Sequence, residues 1–148
     1  MVTLTFNGTS NTGNTPLGAS FGDFVVTTNN TNTPAQSFSS GFTLNFTQTV
    51  PTAGVGSLAS SLSGNIGFNS GIATLTFTTT SLLLGDVRYS VNPSYTIAVP
   101  TTGTGGGATG GTTSIQGTVT SVPDGGLTIA LLGAALGAIG LMRRKFSV

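Results

Sequence analysis

The stretch "IATLTFTT" (Ile72–Thr79) puts Ala73, Leu75 and Phe77 at one parity and Thr74, Thr76 and Thr78 at the other. A period of two is the signature of a strand with one face in a core and one in water, and Thr, Phe and Ile suit a pleated surface. The same alternation recurs in "VTLTF" (Val2–Phe6), in "FTLNFTQ" (Phe42–Gln48) through Phe42, Leu44 and Phe46, and in "SYTIAV" (Ser94–Val99) through Tyr95, Ile97 and Val99. Weaker versions are "FGDFVVT" (Phe21–Thr27), "GNIGF" (Gly64–Phe68), "VRYS" (Val87–Ser90) and "SIQGTVT" (Ser114–Thr120). No helical period of useful length occurs before residue 127. The expected fold class is therefore all-β, an antiparallel β-sandwich built of many short strands.

Between these segments lie Asn-, Gly-, Ser- and Pro-rich stretches, "NGTSNTGNTPLGAS" and "TTNNTNTPAQSFSSG", which read as turns and loops. A loosely ordered Thr/Asn-rich tract is the alternative, and the recurring Phe anchors speak against it. "TTGTGGGATGGTT" (101–113) reads as a flexible Gly/Thr-rich loop. Gly105–Gly110 satisfies G-x-G-x-x-G, but no helix follows directly and Asp124 belongs to another feature, so a plain loop is the better reading.

Charge excludes more than it suggests. Only 5% of residues are charged, and Arg143, Arg144 and Lys145 supply three of the four cations. The body of the chain keeps only Asp23, Asp86 and Arg88, so it has no basic face for phosphates and no nucleic-acid partner is expected. There is no Cys, His or Trp, and no Glu. A nucleophilic triad has no base, zinc has too few ligands, and no calcium-loop pattern occurs. A paired-carboxylate glycosidase would need two convergent acids, and only Asp23 and Asp86 are available. Neither a catalytic, a cofactor-binding nor a metal-binding residue is assigned, and no enzymatic activity is expected. Asp86 and Arg88 read as a modest surface pair. Tyr89 and Tyr95 read as half-buried sheet residues, with stacking on sugar rings as the alternative. Asn7-Gly8-Thr9, Asn29-Asn30-Thr31 and Asn45-Phe46-Thr47 match N-x-[ST] and are taken as incidental.

The chain closes differently. Val122-Pro123-Asp124-Gly125-Gly126 is a turn sequence, since Pro fixes φ and Asp-Gly favours a turn. Leu127 to Met142 then runs 16 residues without a charge. As a helix it would measure roughly 24 Å against a hydrocarbon core of about 30 Å. With Arg143–Lys145 as a basic stop-transfer cluster whose side chains snorkel, a single C-terminal transmembrane helix is expected. The cluster would keep that end cytoplasmic and place everything before Leu127 across the membrane. Gly133 and Gly137 form a G-x-x-x-G pair, weak evidence for helix contact in so small-residue-rich a run. Two units are expected: an ectodomain over 1–121 and a sorting or anchor segment over 122–148.

Signature, apolar helix and basic end together resemble the PEP-CTERM class of bacterial sorting tails, in the variant spelled VPDGG, over about the last 25 residues. That resemblance implies an exported cell-surface or extracellular-matrix protein. It also implies processing by an integral-membrane cysteine protease, the exosortase, and association with the cell surface or exopolysaccharide. It implies nothing about the strand-rich domain. A secretory leader is expected with it; "MVTLTFNGTS" offers none, so an in-frame extension upstream of Met1 is expected. The alternative function is an extracellular carbohydrate-binding or carbohydrate-active module drawing on Asp23, Asp86, Tyr89 and Tyr95. It requires those residues to converge on one concave surface.

Overall fold

A computed structural model of the chain describes residues 1–28, 32–102, 108–123 and 125–146. Eleven strands precede one helix among them: β1 (Val2–Gly8), β2 (Leu17–Thr28), β3 (Gln36–Gln48), β4 (Gly54–Gly67), β5 (Ser70–Phe77), β6 (Ser81–Leu84), β7 (Val87–Val91), β8 (Ser94–Ile97), β9 (Thr101–Thr102), β10 (Ala108–Thr109), β11 (Gly111–Ser121) and α1 (Gly125–Phe146). One sheet runs in the order β1-β2-β11-β7-β6 and the other β3-β4-β5-β8. Every pairing in them is antiparallel.

The alternating side chains close one core between the sheets. Phe24, Val26, Val91 and Ile115 come from the first sheet, and Leu44, Leu58, Leu75 and Ile97 from the second. Each such burial is worth about 1.5–3 kcal/mol. Aromatic rings pin the sheets together: Phe42 of β3 meets Phe6 at 5.0 Å and Phe24 at 4.9 Å, and Phe46 meets Phe21 at 5.1 Å.

Strand β2 shows how local sequence bends to the core. Phe21 and Phe24 stand three apart, so a regular strand would send them to opposite faces. The β11 register passes from Ile115↔Gly22 to Gln116↔Ser20, leaving Phe21 as the extra residue of a β-bulge. Both rings are thereby buried, and Asp23 turns to the outer face. Gly22 takes φ 145°, and a side chain there would come within 2.6 Å of the Asn7 carbonyl oxygen, so glycine alone fits.

Several loop expectations give way to strand. Gln36–Gly41 belongs to β3. Parts of 101–113 form the two-residue pair β9–β10 and the start of β11, while residues 103–107, and with them part of the glycine pattern, lie outside the described residues. Asn29, Asn30 and Thr31 also lie outside them.

The C-terminal transmembrane helix is not supported. Among the described residues, no helix is long and apolar enough to cross a membrane. The helix counts 22 residues from Gly125 to Phe146, but it opens on two glycines and ends through Arg143-Arg144-Lys145. Of its uncharged stretch, Gly125–Met142, the apolar run is the 16 residues from Leu127, short of the hydrocarbon thickness by about four residues. Its Gly, Ala and Thr content dilutes it further. The anchor expected from Leu127–Met142, and the orientation drawn from it, fall with the span.

Candidate functional site

Strand β11, central in its sheet, carries the chain straight into the tail. Ser121 still pairs with Val87 of β7, and the Val122 N–H donates to the Asp86 carbonyl oxygen at 2.7 Å. Val122 is half-buried, Pro123 is exposed, and neither belongs to strand or helix. Proline's fixed φ and missing N–H end the ladder at this point. Asp124 lies outside the described residues, as do the side chains of Arg143, Arg144 and Lys145. Gly125 and Gly126, expected in the turn, form the first two residues of the helix. From Thr128 to Ile139 every side chain is exposed, so this stretch of the helix stands outside the core between the sheets.

A cleft of ≈ 870 Å³ opens at this same end of the sandwich. Its walls are the β1–β2 connection, the end of β3 with Thr49–Pro51, the β6–β7 turn and the end of β11. Tyr89 supplies an aromatic wall, with its ring 5.0 Å from Phe46 and 6.3 Å from Phe21. The Tyr89 hydroxyl donates to Gln48 Oε1 at 2.8 Å, and Gln48 Nε2 donates to the Thr52 carbonyl oxygen at 2.7 Å. Burial pushes the Tyr89 phenol above its ordinary 10.0. Gln48 itself is buried at 5% exposure. The signal for it was in the sequence, because it continues the inward parity of Phe42, Leu44 and Phe46.

The four candidate residues do not converge. Asp86 and Tyr89 line the cleft. Asp23 lies on the outer face of the first sheet, accepting a hydrogen bond from Ser114 Oγ at 2.5 Å. Tyr95 packs against Phe77, donates its hydroxyl to the Gln116 carbonyl oxygen and accepts the Asn92 N–H at 3.0 Å. It is a strut between the sheets. Burial raises its phenol too, partly offset by the Asn92 N–H. Asp86 sits in the turn rather than in β7, and no ion pair joins it to Arg88 among the described residues. Among those residues, no group of three or more acidic, His or Cys side chains gathers where a metal ion could bind.

The tail decides what the domain does not. Residues 121–146 match the family model of the VPDSG-CTERM motif. The tail is a PEP-CTERM-like sorting signal. Gly125 stands at the fourth letter, where the motif's name has Ser. The CTERM signal marks the chain as an exported protein, and motifs of this kind are generally processed by a membrane-associated sorting enzyme. No curated protein and no solved structure matches the chain.

Proposed function

We propose that the protein is a non-enzymatic component of the cell surface or extracellular matrix, delivered by its CTERM tail and cut there by an exosortase-type membrane protease. The observation that carries this reading is the junction. The folded domain ends at Ser121, the motif begins one residue later, and Pro123 is exposed. A protease needs an accessible peptide, and Pro123, exposed and in neither strand nor helix, ends the ladder just before the helix begins at Gly125. A cut near the motif would release the domain whole, because the described helix side chains from Thr128 to Ile139 are exposed and take no part in its core.

Replacing Pro123 and Asp124 together by Ala tests the proposal in the native host. The variant should export and fold as before yet accumulate uncut. Normal processing of that variant would remove the motif from the mechanism.

A second reading, carbohydrate binding without catalysis, is favoured by the cleft, where the Tyr89 and Phe46 rings stand beside Asp86 and Asn45. Aromatic faces with amide and carboxylate partners suit sugar rings. A glycan array should then show saturable binding that Asp86→Ala abolishes, and a blank array would dismiss it.

A further inference from the structure

A sheet edge exposes a row of backbone donors and acceptors that can pair with another chain, and proteins blunt such edges with short strands, charges, prolines or bulges. Among the described residues, three of the four edges of the two large sheets are blunted or short. β6 and β8 have four residues each, β8 lying between Pro93 and Pro100, and β1 has seven. β3 is different. It runs 13 residues, roughly 44 Å at strand rise, and holds register with β4 from Gln36↔Ile66 to Gln48↔Gly54 with no shift. Its sequence, QSFSSGFTLNFTQ, contains no charge and no proline. Among the described residues it has a strand partner on one side only.

The apolar seam between the sheets opens beside this edge. A gap of ≈ 170 Å³ there is lined by Val2, Leu4, Gln36, Ser37, Phe38 and Ile66. Phe38 and Phe42 remain half-buried. We infer that β3 is a self-association edge, pairing antiparallel with β3 of a second copy about a two-fold axis into one eight-stranded sheet.

Two features select a second copy as the occupant. A two-fold axis matches the edge with itself, so the same 13 residues supply both sides of the ladder. An uncharged edge also meets its own copy with no like-charge repulsion, which would oppose pairing of an edge that carries Lys or Glu. Paired over all 13 residues, the two-fold sets Phe42 opposite Phe42 and Phe38 opposite Phe46 of the second copy, removing the exposed parts of Phe38 and Phe42 from water. The inference concerns the domain alone and stands whether or not the tail is cut.

The full chain, tail included, provides the test. Because it contains no cysteine, single-cysteine variants report on one contact at a time. Ser39→Cys, Thr43→Cys and Asn45→Cys place a thiol on the exposed face of β3, and Thr74→Cys in β5 is the control two strands further in. Under mild oxidation at least one β3 variant should form a covalent dimer and the control should not. In sedimentation the unmodified chain should be dimeric and a Thr43→Lys/Asn45→Lys chain monomeric, with the same circular dichroism and melting. Three results would overturn the inference: a monomeric unmodified chain, cross-linking equal in β3 and the control, or a dimer that survives the double Lys substitution.

Discussion

Tyr89 and Gln48 make one polar bridge across the cleft end of the core, and each side chain completes the other. Tyr89→Phe removes the donor and leaves the buried Gln48 Oε1 without it. Chemical denaturation should register a loss of about 1 kcal/mol. Both phenols are harder to ionise in the fold than in the unfolded chain, whose value lies near 10.0. Their contribution is thus intact below about pH 10 and is lost as pH rises through that value toward the folded phenols' higher ones. A melting series across the alkaline range should show that fall, and the Tyr89→Phe chain should show a shallower one. Gly64, inside β4, is a residue of another kind. It holds φ 138°, and an added Cβ would overlap the Ile72 carbonyl oxygen and lie 2.6 Å from Ala73 Cα. Backbone cannot yield as a flexible side chain does, so Gly64→Ala should cost about 3 kcal/mol. Equal stability of that variant would show that the strand relaxes there.

At the scale of elements, alternation made β1, β5 and the second half of β3 legible, because apolar residues mark nearly every inward position in each. β4 hid its first half, since its inward positions are Gly54, Gly56, Leu58, Ser60 and Leu62. Those glycines are part of the packing: a Cβ on Gly56 would fall 2.8 Å from Leu82 and 2.9 Å from Leu84 of β6. Strand β6, "SLLL", has no polar alternation to read, and only the opposing sheet explains it. The helix was legible as an element and over-read as a span, because freedom from charge was weighted above length. Its exposed side chains make a direct prediction. Ending the chain after Pro123 should leave the melting temperature of the sandwich unchanged, since Val122 and its bond to Asp86 are retained. A large drop would mean that the helix packs on the sheets.

For the whole molecule, the division of labour follows the division of sequence. The nearly uncharged strands build a domain whose cleft draws Phe21, Leu44, Phe46, Tyr89 and Val119 from four separate strands. Pattern reading could place each residue on a face but could not bring them to one end. The tail was legible because its information is local: five residues of turn, an apolar run and a basic end, contiguous in the chain and matched as a sorting signal over 121–146. The central claim is that this signal is cut and the sandwich remains. Intact-mass measurement of the protein recovered from the surface of its host tests that most directly. The mature chain should end at or near the Val122–Gly126 motif when the sorting enzyme is present, and remain uncut when its gene is deleted. A mature chain still carrying Leu127–Val148 with the enzyme present would contradict it.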